Sequence, residues 1–155
     1  MDRILLVKDM MVKNFTAIPQ DATIREAAEI LQNGGFSGAP VVDGKNNLVG
    51  IISEKDLFQT LYPTYDEFYQ EEALIPTMDS EAMQKWLKES GNKRIKDIIK
   101  KPISTTPETP LVKIGAIMLA QGIHRLPVLE NGKLVGIITR RSLYRTIFRH
   151  LFGFD

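Results

Sequence analysis

The sequence predicts a mixed α/β (α+β) fold made of two copies of one β-α-β-β-α unit, with a helical insert between them. The first observation is a repeated tetrapeptide. Val-Gly-Ile-Ile occurs at 49–52 and again at 135–138, each time after a leucine. The second is what surrounds it: Lys8-Asp9 matches Lys96-Asp97, Pro19 matches Pro107, Leu31 matches Leu119, Gly34 matches Gly122, Pro40-Val41 matches Pro127-Val128, and Leu57 matches Leu143. The separation drifts only from 88 to 86 residues, which two single-residue deletions explain, and unrelated segments do not keep order in this way. The third is that both copies read alike, with helical spacing giving way to two β-rich runs and then to helical spacing again.

In the first copy, a short extended piece around Thr16, Ala17 and Ile18 precedes a helix. Thr23 and Glu26 form a capping box ahead of Ile24, Ala27, Ala28 and Leu31, and Gly34-Gly35 ends the helix. Residues 40–43 and 48–53 are β-rich and joined by the polar turn 44–47, and a second helix from Glu54 carries Leu57, Phe58 and Leu61. In the second copy the extended piece falls at 104–106. Thr109 is the expected cap of the next helix, with Pro110 at its first position. Asn131-Gly132 is a favoured type I′ hairpin turn. The closing helix runs from about Arg140 to Phe152, with Leu143, Ile147, Phe148 and Leu151 on one stripe.

The insert at 62–93 has no counterpart in a bare repeat. It holds Tyr62, Tyr65, Phe68 and Tyr69, then a short helix over 80–90 bearing Met83, Trp86 and Leu87, stopped by Gly91. Charge is distributed unevenly along the chain. Residues 1–60 carry a net −2, residues 61–92 a net −5 and residues 93–155 a net +8, within a total of +1. With 155 residues, 43% apolar, the chain buries enough surface to fold without staples, and the absence of cysteine excludes disulfides, zinc thiolates and a cysteine nucleophile. No apolar run approaches the ~18 residues of a membrane span, and the opening run covers only residues 4–7. The expectation is a cytoplasmic protein with no membrane contact. Enzymatic chemistry is not expected, and neither a metal nor a cofactor. There are two histidines, His124 and His150, without metal-ligand spacing, and no nucleophile elbow or phosphate-cradling glycine loop.

The order Lys-Asp-Met/Ile, strand, helix, Gly-x-x-x-x-Pro-Val, hairpin, Gly-Ile-Ile-Ser/Thr and closing helix, found twice, resembles a pair of CBS domains, the Bateman module. The resemblance covers 7–61 and 94–152, with the acidic insert 62–93 between them. It implies two repeats packed through their sheets about a pseudo-twofold axis, with two related clefts. It further implies a regulatory ligand containing adenosine: AMP, ADP or ATP, with S-adenosylmethionine less favoured. The family's modules commonly pair as homodimers and act on a separate target protein, which this sequence does not name.

Under that resemblance, Ser53 and Asp56 match the family's Ser/Thr-x-x-Asp, whose carboxylate accepts the ribose hydroxyls; an acceptor-only group serves two donors at once. Ser-x-x-Asp is equally a capping box at the start of a helix, and both roles can coexist. Thr16, Ala17, Ile18 and Ile52 are the adenine-pocket candidates, while His124, Arg125 and Arg141 are the candidates for the phosphates. Arg140 and Arg141 lie in a first helical turn, where the dipole disfavours cations, so that an anion would reverse the sign. The second cleft, with Thr106, Ser37, Thr139 and Ser142, is expected to be weaker, because Ser142 stands where the first copy has Asp56.

Two other functions compete. One is a protein-interaction or dimerisation scaffold with vestigial clefts, sealed by the apolar end Leu151, Phe152 and Phe154. The other is nucleic-acid contact through the basic last third, where Arg140, Arg141, Arg145 and Arg149 lie along one helix, although no base-reading motif or aromatic stacking platform is evident there.

Overall fold

The computed structural model describes residues 3–61 and 80–154. The tyrosine-rich part of the insert lies outside the described residues. In chain order the elements are β1 (Ile18–Pro19), α1 (Ile24–Gly34), β2 (Gly38–Val42), β3 (Leu48–Ser53), α2 (Glu54–Leu61), α3 (Ser80–Gly91), α4 (Leu111–Gln121), β4 (Arg125–Glu130), β5 (Lys133–Thr139) and α5 (Arg140–Phe152). Two 3-10 turns, Val7–Asp9 and Ile95–Asp97, open the repeats. The expected mixed α+β architecture is observed.

Local chemistry explains most boundaries. Thr23 Oγ1 accepts from the Glu26 amide, and Gly35 closes α1 in the left-handed region at φ 70°. The hairpin turn before β5 places Asn131 at φ 52° and Gly132 at φ 78°, the signs a type I′ turn needs. At 43–47 the Asp43 carboxylate accepts from the Lys45 and Asn47 amides and from the Asn47 side chain, at 2.8 to 3.0 Å. One expected boundary moves. Thr109 does not cap α4. Pro110 is extended at ψ 138°, forms a bridge with Leu6, and α4 begins at Leu111, whose amide donates to the Leu5 carbonyl at 2.9 Å. Tertiary pairing claimed the proline's backbone first. The α5 stripe is also only partly buried: Leu143 is inside, Ile147 half-buried, and Phe148 and Leu151 exposed.

The chain divides into two compact units that do not coincide with the two repeats. One consists of Thr16–Val41 and Gly50–Lys100; the other consists of Met1–Phe15, Val42–Val49 and Lys101–Asp155. The opening segment of each repeat is therefore exchanged. In the first unit, a sheet in the order β1-β2-β3 packs with α1 and α2 over Ile18, Ile24, Leu31, Val41, Ile52 and Leu57. Ile95, from the start of the second repeat, is fully buried in that same core. Burying it contributes about 1.5–3 kcal/mol, so packing as well as backbone pairing holds the segment there. Ile51 and Lys100 exchange backbone hydrogen bonds at 3.0 and 3.2 Å, adding an edge to β3.

The second unit uses the same plan with the partners reversed. β4 and β5 pair antiparallel from Arg125↔Thr139 to Glu130↔Lys133, with a register shift between Val128 and Leu129. Thr105, in the predicted extended piece, bridges Val128 in parallel. The core gathers Leu111, Ile114, Leu126, Val128, Ile138 and Leu143, and Val7 from the chain's start is fully buried among them. Val12 exchanges backbone hydrogen bonds with Ile137 at 2.8 and 3.0 Å, as Lys100 does with Ile51.

Candidate functional site

The β3–α2 junction of the first unit is where the sequence places Ser53 and Asp56. β3 ends at Ser53 and α2 starts at Glu54, whose amide donates to the Ser37 carbonyl at 2.9 Å. Asp56 reaches back over the first turn. Its Oδ2 accepts from the Ser53 amide and the Ser53 hydroxyl, both at 2.9 Å, while the Ser53 Oγ accepts from the Asp56 amide at 3.2 Å. The capping role is thus real, and it fixes the carboxylate's orientation without occupying its other oxygen.

That other oxygen faces a cation. Lys100 Nζ lies 2.7 Å from Asp56 Oδ1, with the lysine side chain 70% exposed and the aspartate side chain only 10% exposed. Burial pushes the Asp56 carboxyl up, but the Lys100 pairing and the two Ser53 hydrogen bonds outweigh it and hold the group below its ordinary value. It is a carboxylate at neutral pH. Asp56 and Lys100 line an open pocket of about 230 Å³ together with Gln59, Thr60 and Ile98. A preoriented anion beside a displaceable cation suits hydroxyl donors or a polar ligand with an anionic end.

Lys100 was not legible as a site residue. It opens the second repeat, and only the exchange of opening segments brings it to the first repeat's carboxylate. The one usable signal was the duplication itself: Lys100 corresponds to Val12, just as Asp56 corresponds to Ser142.

The adenine-pocket candidates divide by burial. Ile18 and Ile52 are fully buried members of the hydrophobic core, so their side chains line no open surface, whereas Thr16 and Ala17 are half-buried. In the second unit, the Thr139–Ser142 junction repeats the capping geometry with a hydroxyl. The Thr139 amide donates to Ser142 Oγ at 3.1 Å and the Ser142 amide to Thr139 Oγ1 at 3.1 Å. No carboxylate stands at this junction. Thr106 is exposed, its hydroxyl 3.1 Å from that of Thr109. Ser37 is exposed as well.

His124 lies beside the start of α5. Its carbonyl accepts from the Arg140 amide at 2.9 Å and its Nε2 lies 3.1 Å from Arg140 Nη1. It lines an apolar groove of about 420 Å³ between α4 and α5, with Met118, Leu119, Leu143 and Tyr144. Arg140 is one of the two first-turn arginines, and His124 meets it through both backbone and ring. Arg125 pairs with Thr139 at the start of the β4–β5 ladder, and Arg141 is exposed in the first turn of α5.

Aromatic side chains line the exposed side of α5. Exposed Tyr144, Phe148, Phe152 and Phe154 run along the helix and its end, with ring centroids 6.1, 6.0 and 5.7 Å apart, beside four arginines. An aromatic series thus accompanies the basic residues. Among the described residues, no cluster of histidine and carboxylate side chains is placed to hold a metal ion, and no helix is long and apolar enough to cross a membrane.

Comparison with known proteins agrees with this architecture. The CBS domain family matches residues 7–62 and 95–149. The uncharacterized protein MJ1225 of Methanocaldococcus jannaschii is 31% identical over 91% of this chain, which spans 42% of that protein. The chloroplastic CBS domain-containing protein CBSX1 of Arabidopsis thaliana is 35% identical over 79% of this chain and 55% of its own length. The chain therefore spans about half the length of these two relatives. The crystal structure of CBSX2 from the same plant, in complex with AMP, superposes with a TM-score of 0.70 at 26% identity, covering 93% of this chain and 96% of that one. Both halves of the duplication match the same family, at 7–62 and 95–149: the chain belongs to the CBS domain family and carries a tandem pair of its repeats.

Proposed function

We propose that this chain is a regulatory module that binds an adenosine nucleotide of the AMP, ADP or ATP class, with the ribose on Asp56, and that it signals to a target protein by conformational or oligomeric change rather than by catalysis. The observation that carries the reading is the Asp56 carboxylate. It is nine-tenths buried, ionised, fixed by Ser53, and turned toward an open pocket. The AMP complex of the related CBSX2 supports the ligand class. His124, Arg125 and Arg141 remain proposed phosphate donors on the family resemblance, with Arg140 3.1 Å from His124 Nε2. The second repeat, with Ser142 in place of the acid, is the weaker site. S-adenosylmethionine is disfavoured because its sulfonium brings a second cation to a carboxylate already paired with Lys100.

The test is thermal unfolding with AMP, ADP, ATP, NAD and S-adenosylmethionine, for the wild type and for Asp56→Ala, Arg125→Ala and Arg141→Ala. Ligand at 100 times its dissociation constant adds about 2.7 kcal/mol, a rise of roughly 5–10 °C for a chain of this size. The expected result is a rise with at least one nucleotide that is lost in Asp56→Ala. A chain that responds to none of the five refutes the reading.

A second reading is favoured by the α4–α5 face. Val112 and Leu119 on α4 and Phe148, Leu151 and Phe152 on α5 are exposed apolar side chains, an arrangement typical of interaction surfaces. On this reading the chain is a homodimer or docks on a partner through α4 and α5. Sedimentation velocity of the wild type against Phe148→Glu separates the two: a dimer that dissociates in the variant supports the face, and a monomeric wild type removes the homodimer. Binding to generic RNA at two salt concentrations tests the basic helix, since phosphate contacts weaken steeply with salt.

A further inference from the structure

The Lys100–Asp56 pair has features that a simple surface ion pair lacks. Both carboxylate oxygens are committed, Oδ2 to Ser53 and Oδ1 to Lys100. A carboxylate offers about four acceptor sites; two hydroxyls arriving together therefore compete with the ammonium for Oδ1. The lysine backbone is fixed by its two hydrogen bonds to Ile51, yet its side chain is 70% exposed. A head group on a flexible four-carbon stem can leave the carboxylate without moving the chain.

The duplication supplies an internal control. At the corresponding positions the second repeat has Ser142 for the acid, and the segment packed beside it has Val12 for the base. Val12 bridges Ile137 just as Lys100 bridges Ile51, so the backbone pairing is equivalent while the acid and the base are both replaced. The base is present where the acid is present and absent where it is absent.

Resting on the adenosine reading above, we infer that Lys100 is the specificity-determining residue of the Asp56 site: it occupies the carboxylate in the free chain and yields it to ligands that bring an anion for the displaced ammonium. A nucleoside that takes Asp56 leaves Lys100 in water with no partner, and its binding includes the loss of an ion pair. A nucleoside phosphate replaces one anionic partner with another. The site thereby favours phosphorylated ligands over unphosphorylated or sulfonium ones.

The experiment is isothermal titration of AMP and adenosine into the full chain, for wild type, Lys100→Met, Lys100→Gln and Lys100→Arg, with circular dichroism as the check on folding. The exposed side chain makes both neutral variants compatible with the fold. The expected result is that AMP weakens and adenosine tightens in Lys100→Met and Lys100→Gln, narrowing the preference for AMP by about tenfold, the scale of one charge-assisted hydrogen bond. Lys100→Arg keeps the preference. If the wild type binds AMP but its preference over adenosine is unchanged in the neutral variants, or both ligands tighten equally, the inference is overturned while the adenosine reading stands. If neither ligand binds the wild type or the neutral variants, both fall together.

Discussion

Gly50→Ala probes the contact that brings Lys100 to the carboxylate. A Cβ built on Gly50 would lie 1.6 Å from Ile99 Cγ2, 3.1 Å from Ile99 Cβ and 3.2 Å from the Lys100 carbonyl oxygen. Rotating the Ile99 methyl relieves the first clash but not the other two, so the 99–100 segment must move off β3. Overpacking of this kind costs about 1–3 kcal/mol. Weakening the two Ile51–Lys100 hydrogen bonds adds about 1 kcal/mol each at most. Replacing a strand glycine returns roughly 0.5–1 kcal/mol. The net expectation is a loss centred on about 2 kcal/mol, a fall in Tm of roughly 4–8 °C, measured by urea and thermal unfolding. Gly44→Ala is the control, because nothing lies within 4 Å of its added carbon. The displaced segment also carries Lys100 away from Asp56, so the stability cost of Lys100→Met shrinks in the Gly50→Ala background. A Gly50→Ala protein within about 0.5 kcal/mol of wild type, the range of an ordinary surface substitution, would refute the packing argument.

Four further outcomes follow from the same geometry. Gly136→Ala meets Met11 at its Sδ, Cγ and Cβ, at 2.9 to 3.3 Å; the flexible thioether yields more readily, so the cost in urea unfolding is smaller than for Gly50→Ala, about 1 kcal/mol. Thr139→Ala removes the hydroxyl that accepts the Ser142 amide and lowers stability by about 1 kcal/mol in the same assay. Ser142→Asp puts an acid in the first turn of α5, which has none and carries Arg140 and Arg141 there; it raises Tm by roughly 1–4 °C, from a dipole contribution of about 0.3–1 kcal/mol. Because the folded Asp56 carboxyl lies below its unfolded value, its contribution is present above about pH 4 and is lost as pH falls through the folded value. The stabilities of wild type and Asp56→Asn in urea unfolding therefore differ at pH 7, by about 1 kcal/mol given the exposed partner, and the difference shrinks as the pH is lowered below about 4.

The local rules read well from sequence because they act over a few residues. The hydroxyl of Thr23, the left-handed Gly35, the Asn131-Gly132 turn and the start of α5 at Arg140 each depend on neighbours within one turn. What failed depends on residues far apart in the chain. Pro110 leaves the helix because Leu6 pairs with it. The periodicity of α5 marks an apolar stripe without saying how much of it finds a cover, and there only Leu143 is fully inside. Asp56 and Ser53 were legible as a pair at fixed spacing. Their cation was not, since Lys100 lies 44 residues on and nothing in its surroundings announces a carboxylate.

The exchanged opening segments also bear on descent. A single repeat on its own would lack the edge beside its Gly-Ile-Ile strand and the isoleucine or valine that fills its core, because those now come from the other copy. A single repeat with this packing would take both from a second molecule, as a swapped pair does. Joined in one chain, the lender and the borrower are free to diverge. A charge acquired in one copy's opening segment, such as that of Lys100, then acts in the other copy's junction and leaves its own untouched.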